Sequence, residues 1–373
     1  MNGLLIPEQQ RLILPPGVGL KPGNAPWGTR RRRHYRVAPL TPSGPGTHTG
    51  LPSSTSETAK LTGGQGFTPA IVAVGTNAVM FSTDPLNLWV SGTPAAPIQW
   101  RGVANNNRGR WVKVANTGGA FRSAFSNNGG ATWTPSSVSL DVTKTWEDVA
   151  WSELGQQFVA IANGGGLNTQ RIATSPDGDV WTTLTHLAVG ALVTITDAPE
   201  IGAMYTIYSG VGGMLRSLDG GNTWASIAGT VGTTHVAWNG TGLWVCGGGD
   251  IFIYFSPDGG ATFPATSAAF LNGFKCSAVS PHPAPILLGI PGTLTDAYRA
   301  VAPTIPGFTF AGQVVDGTEW RYAIYDTVTE HFFGLSSAGV GNSVFASPTG
   351  LAGSFTFPTA PVGIWAKMRS GLS

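Results

Sequence analysis

SLDGGNTW, residues 217–224, is the stretch that decides the fold. Its pattern recurs as SNNGGATW from Ser126, SPDGDVW from Ser175 and SPDGGATF from Ser256. STDPLNLW from Ser82 keeps the Ser, the Asp and the Trp, and SPTGLAGSF from Ser347 is a worn copy. Each residue type has a physical job in a tight turn. Asp84, Asn128, Asp177, Asp219 and Asp258 stand third, where a short side chain takes backbone N–H bonds about two residues on and closes an Asx-type turn. Glycine supplies the positive φ of a tight hairpin. The hydroxyls of Ser82, Ser126, Ser175, Ser217 and Ser256 tie down a second backbone group. Trp133, Trp181, Trp224 and Phe263 open the next strand, and their fixed place predicts rings buried between repeated units.

The serines of these turns are 44, 49, 42, 39 and 91 residues apart, so one degenerate unit is expected in the last gap, near Tyr298–Phe310. A repeat of forty-odd residues is one supersecondary unit that buries its faces only against its neighbours. Blocks such as FVAIA at 158–162 and LWVCG at 243–247 are rich in β-branched and aromatic residues and read as strands. No segment sustains a 3.6-residue apolar period, so no long helix is expected. A second signal precedes most of the turns: WRGVAN at 100–105, WEDVAW at 146–151, THVAWNG at 234–240, KCSAVS at 275–280 and WRYAIY at 320–325. These are read as the innermost strand of each unit. The first turn has no such strand before it, whereas VGIWAKM at 362–368 follows the last. That displacement predicts a ring in which 362–368 pairs with AIVAVG at 70–75, leaving no open sheet edge.

The turn resembles the Asp-box, or BNR repeat, Ser-x-Asp-x-Gly-x-Thr-Trp, known from sialidases, other glycoside hydrolases, sortilin-type receptors and assembly factors. The resemblance covers roughly residues 66 to 369. It implies an all-β fold, a β-propeller in which each box joins the third and fourth strands of a blade at the rim. The repeat count makes the expectation seven blades, with six blades plus an insert at 270–312 as second choice. The motif specifies fold and says little about function, because it sits on unrelated proteins.

Composition narrows the function classes. Charged residues are 11% of the chain, against about 25% in ordinary globular proteins, and 53 of 373 residues are glycine. The composition is similar to that of virion structural proteins. A formal net charge of +2 argues against coating nucleic acid. Two cysteines, Cys246 and Cys276, make no disulfide framework. Neither a transmembrane run nor a signal peptide is read from the sequence, so no membrane association is expected.

Residues 1–65 differ in kind and are taken as a separate extended arm, with 66–373 as the propeller. The arm holds nine of the 27 prolines and the run RRRRHYR at 30–36. It has too few apolar residues to offset its ordering entropy alone. Leu4, Leu5, Ile6, Leu12, Ile13 and Leu14 are therefore read as anchors for grooves on neighbouring subunits. Arg30, Arg31, Arg32 and Arg33 suit carboxylates of such a neighbour, or the phosphates of a nucleic acid; an arm wrapped on its own ring is the alternative.

The resemblance to sialidases implies a check for their arginine triad, Tyr–Glu nucleophile and Asp acid/base. Their Phe/Tyr-Arg-Ile-Pro motif is absent. Glu147 and Asp148, beside Trp146, stand near the expected ring centre, but adjacent acids on a strand point to opposite faces, whereas glycosidases need two carboxyls facing across one bond. No catalytic, cofactor-binding or metal-binding residues are assigned. The sequence thus favours a non-enzymatic structural or adhesion component of a large assembly, most specifically a phage tail protein of the nozzle or hub type, located in the virion. Its partners would be neighbouring subunits of the same or other virion proteins, with a surface glycan possible. The alternative is a sialidase-like, carbohydrate-active or glycan-binding propeller.

Overall fold

A computed structural model describes residues 69–372 apart from short segments, among them 209–212, 228–234, 247–252, 267–273 and 314–319. The arm with Leu4 to Leu14 and Arg30 to Arg33 lies outside the described residues. All named elements are strands. In chain order they are β1 (Pro69–Gly75), β2 (Ala78–Asp84) and β3 (Leu88–Ser91), then β4 (Gln99–Asn105), β5 (Trp111–Thr117), β6 (Ser123–Ser126) and β7 (Thr134–Pro135). Next come β8 (Thr145–Ser152), β9 (Gln157–Gly164), β10 (Ile172–Ser175) and β11 (Thr182–Leu184), and β12 (Leu192–Ala198), β13 (Ala203–Tyr208), β14 (Gly213–Ser217) and β15 (Ala225–Ile227). They are followed by β16 (His235–Trp238), β17 (Leu243–Cys246), β18 (Ile253–Ser256) and β19 (Ala265–Thr266), and by β20 (Phe274–Val279), β21 (Ile286–Pro291), β22 (Asp296–Val301) and β23 (Phe308–Gln313). The last are β24 (Trp320–Asp326), β25 (His331–Ser336), β26 (Val344–Ser347) and β27 (Trp365–Leu372).

These strands form antiparallel sheets in the orders β27-β1-β2-β3, β4 to β7, β8 to β11, β12 to β15, β16 to β19, β20 to β23 and β24 to β26. The first strand of each sheet lies against that of the next, from β27 through β4, β8, β12, β16, β20 and β24 back to β27. The chain is therefore an all-β propeller. The degenerate unit anticipated near Tyr298–Phe310 is the sheet of β20 to β23, whose strands carry no box turn.

The ends of the chain meet in one sheet. β1 pairs with β27 from Pro69↔Leu372 to Gly75↔Trp365. The C-terminal strand lies three residues later than the 362–368 read from the sequence, because the pairing starts at Trp365, which is buried, while Val362 and Ile364 are exposed before it. Trp365 takes the place that Trp100, Trp146 and Trp320 take at the start of their strands, all four rings being almost wholly buried. Each aromatic ring buried in this way contributes on the order of 3 kcal/mol.

The recurring turns join the third and fourth strands of their sheets, with Ser126, Ser175, Ser217 and Ser256 as the last residues of β6, β10, β14 and β18. The Ser217 hydroxyl accepts the Gly221 N–H at 2.8 Å and donates to Asp219 at 2.8 Å. Ser256 does the same with Gly260 and Asp258, each at 2.7 Å. Asp219 takes the N–H of Thr223, four residues on, at 2.9 Å, and Asn128 takes that of Thr132 at 3.0 Å. The two-residue reach expected of the third position occurs at Asp177, which takes the Asp179 N–H at 2.9 Å in the copy that is one residue short. Trp133, Trp181 and Trp224 are buried and each donates its indole N–H to a turn glycine carbonyl at 2.8–3.1 Å. Phe263 is only half-buried; it has no N–H to anchor, and it packs edge-on against Tyr254 instead.

The glycines of the turns do more than supply φ. A methyl group on Gly130 would strike Val72, one on Gly178 would strike Val112, and one on Gly221 would strike Val159. Each of those valines lies on the second strand of the preceding sheet, and each shares a hydrophobic cluster with the Trp of the same turn. The turn is thus a wedge between sheets. Rim hydrogen bonds reinforce it: Arg110 Nε donates to the Asp177 carbonyl at 2.7 Å, Ser136 Oγ to Gly178 at 2.7 Å and Gln157 Nε2 to Gly220 at 3.0 Å.

Candidate functional site at the ring centre

The innermost strands share a distortion. Their ladders skip one residue just after the start: Arg101 between Trp100 and Gly102, Glu147 between Trp146 and Asp148, and Val193 between Leu192 and Thr194. The same skip leaves out Lys275 in β20, Arg321 in β24 and Ala366 in β27. A bulge leaves its extra residue unpaired and re-aims it out of the regular pleat. Six innermost strands therefore present a bulged residue at the same end of the ring, and three of the six are basic.

A cavity of about 390 Å³ opens at that end, lined by Arg101, Glu147, Thr194, His235, Tyr322 and Lys367 among others. Behind it, Asp148 is completely buried. Its carboxylate forms an ion pair with Lys367 and accepts the Thr194 hydroxyl at 3.2 Å and the N–H groups of Ile195 at 3.0 Å and Val149 at 2.8 Å. Glu147 stays clear of this network. Burial pushes its carboxyl above the ordinary value, opposed by the charges of Arg101 and Lys367 and assisted by Asp148. Burial, and secondarily the charge of Lys367, pulls the His235 imidazole down to about 3, so the ring is neutral at physiological pH. The Arg101 Nε–H is buried with no hydrogen-bond partner among the described residues.

The opposite end holds a cavity of about 580 Å³, lined by Asn105 to Arg108, Trp151, Glu153, Asp197, Asp326 and Arg369 among others. Arg108 pairs with Glu153 at 3.2 Å and lies over the Trp151 ring. Burial pushes the Asp197 carboxyl up to about 7; the N–H groups of Glu153 and Ala198 work against this, and the charges of Glu153 and Glu200 add to it.

The structure separates the two acids singled out from the sequence, with Asp148 inside the ion pair and Glu147 on a bulge. It places the box residues at the rim, away from both cavities. Arg122 immediately precedes the third strand β6 and donates to the Val142 carbonyl at 2.8 Å. Sequence reasoning missed Lys367 and His235. Nothing local marks them, although the alignment of WAKM with WEDV through their tryptophans places Lys367 level with Asp148. Among the described residues no group of three His, Cys, Asp or Glu side chains is arranged to hold a metal, and no helix is long and apolar enough to cross a membrane.

No family model matches the chain, and no characterised protein matches it in sequence. Solved structures do match in fold. YCF48 bound to D1 peptide is similar with a TM-score of 0.55 and 16% identity, over 79% of this chain and 93% of that one. YCF48 from Cyanidioschyzon merolae gives 0.54 and 13%, over 75% and 95%. A protein from Lactobacillus plantarum gives 0.58 and 13%, over 82% and 99%. At these identities the likeness establishes the propeller fold and nothing narrower.

Proposed function

We propose that the chain is a seven-bladed Asp-box propeller serving as a non-enzymatic structural or adhesion component of a large assembly. Its most specific form is a bacteriophage tail protein of the nozzle or hub type, resident in the virion. The observation that carries this reading is the state of Asp148. The buried Asp148 carboxylate is bonded to Lys367, Thr194 and two backbone N–H groups. A carboxylate so held fastens strands together. The low charge content and the arm of residues 1–65 agree with a part built to sit among other subunits. In this reading Leu4 to Leu14 and Arg30 to Arg33 dock on a neighbouring chain. One similar propeller is described bound to a peptide, a use of the fold that needs binding and no turnover.

The test is cross-linking of an equal mixture of isotopically light and heavy full-length protein. Links from residues 1–65 to the other isotope population are expected, together with sedimentation as an oligomer. A monomer at every concentration, with arm links confined to one chain, would end the assembly reading.

A carbohydrate-active propeller is the second reading, and Glu147 and Arg101 in one cavity are what favour it. Turnover of a chromogenic sialoside that disappears in Glu147→Gln would establish it in place of the first.

A further inference from the structure

We propose that the cleft between the sheets of β12 to β15 and β16 to β19 is a docking groove for a proline-rich segment, and that its occupant is RVAPLTPSGP, residues 36–45, of a second copy of this chain. The proposal rests on the assembly reading and names both the surface and the part of the arm that meet.

The groove lies at the end of the ring that carries the box turns of Ser217 and Ser256. It encloses about 440 Å³ and is lined by Ile201, Tyr205, Leu218, Trp238 and Pro257 among others. Ile201 and Leu218 remain 47% and 60% exposed, so this apolar wall is uncovered in the single ring. The floor is fixed by hydrogen bonds. The Tyr205 hydroxyl donates to the Gly259 carbonyl at 2.7 Å, and Arg216, a cation of the lining, donates to the same oxygen at 3.3 Å. The Trp238 indole N–H donates to Glu200 at 2.7 Å, which holds the ring at the wall. Fixed aromatic and apolar surface of this kind receives proline-rich segments, whose extended conformation is preset and loses little entropy on binding.

The sequence of the arm supplies the matching face. Arg30, Arg33, Arg36, Pro39, Pro42 and Pro45 recur at every third residue. A polyproline II helix repeats about every three residues, so in that conformation the prolines form one edge and the arginines continue it. Leu40 sits between the first two prolines and adds apolar surface.

Charge favours the same pairing. Residues 1–65 carry eight Lys and Arg against two Glu, whereas residues 66–373 carry 13 Lys and Arg against 17 Asp and Glu. Glu200 and Asp258 flank the groove, are exposed, and have no ion-pair partner among the described residues. With Pro39 and Pro42 against Trp238 and Leu218, Arg36 reaches the carboxylate of Glu200 in a charge-assisted contact.

The experiment is photo-cross-linking of full-length protein with p-benzoylphenylalanine in place of Leu40, in an equal mixture of light and heavy chains. Links are expected on Ile201, Leu218, Trp238 or Pro257 of the other isotope population. Leu218→Lys should lower their yield by about tenfold, and Glu200→Gln by about twofold to fivefold. Val328→Lys, on the same end of the ring but outside the groove, should leave the yield unchanged. If Leu218→Lys fails to fold, the double variant Pro39→Ala, Pro42→Ala is read instead; it leaves the ring untouched and should also lower the yield. Links elsewhere on the neighbouring copy, links confined to the groove of the same chain, or groove links that ignore both the Leu218 and the proline substitutions would overturn the proposal. An oligomer whose links fall elsewhere would leave the assembly reading standing, whereas a monomer at every concentration would end both.

Discussion

Lys367 and Asp148 are 219 residues apart in sequence and form a buried ion pair at the ring centre. The pair spans two sheets. Lys367 belongs to β27, the strand that closes the ring, Asp148 to β8, and β4 lies between them. Asp148 also holds Thr194 and Ile195 of β12, so one carboxylate links three innermost strands.

Removing one side of such a pair leaves an uncompensated buried charge. Lys367→Met is therefore expected to cost about 3–5 kcal/mol. Equilibrium unfolding in urea should show the loss as a lower midpoint. A midpoint equal to that of the parent would mean that water reaches Asp148 and the pair does not fasten the ring.

Gly178 has φ +77, and a Cβ there would collide with Val112. Gly353 has φ +80, and a Cβ there would meet nothing within 4 Å. Gly178→Ala combines left-handed strain with overpacking and should cost about 2–5 kcal/mol, whereas Gly353→Ala should cost only about 1 kcal/mol. Thermal denaturation of the two single variants separates the wedge role from the conformational one. Equal losses would show that the turn glycines serve φ alone.

Lys113 is fully buried, and its amine has no hydrogen-bond partner among the described residues. It lies 3.8 Å over Trp100 and 4.5 Å over Trp133. Burial pushes its pKa well below the usual lysine value. Two aromatic faces return about 2 kcal/mol, less than the several kcal/mol of desolvating an ammonium. The unfolded chain therefore binds the proton that the folded chain refuses, and stability drops as pH falls below the unfolded lysine pKa of about 10.5. Lys113→Met is expected to be more stable than the parent at pH 7, with the advantage shrinking towards pH 10. A destabilised variant at pH 7 would show that the cation–π contacts outweigh desolvation.

His235, with its pKa drawn down to about 3, titrates in the same sense at lower pH. The unfolded imidazole takes up a proton near pH 6.5 and the folded one near 3, so folding stability falls as pH drops through that window. His235→Asn should flatten the stability profile between pH 6.5 and 4. An unchanged slope would place the acid sensitivity elsewhere.

The fold was readable because its repeating parts are local. The Ser–Asp–Gly–Trp turns, and the tryptophans at 100, 146 and 320, each carry their reason within about eight residues. LVTITDA of β12 has the same structural place but begins with Leu192 and lacks the aromatic signal, so the sequence left it unassigned. The wedge role of Gly130, Gly178 and Gly221 was hidden because φ alone already explains glycine in a turn. The ring centre was the least legible part. Asp148 could be suspected beside Trp146, but Lys367 becomes its partner only through closure of the ring. The bulge at Arg101 is a property of pairing and not of residue type.

Ring closure by β27 also has a consequence in time. About 300 residues separate β1 from the strand that completes its sheet, and at a synthesis rate of about 5–20 residues per second the ribosome needs roughly 15–60 s to make them. Through that interval the inner edge of β1, with Ile71, Val72, Ala73 and Val74, has no strand to pair with. Any β27 that arrives first can take the place, including one from another nascent copy on the same message. Polysome-bound expression should therefore favour exchanged rings over refolding from dilute denaturant, where each chain finds its own end.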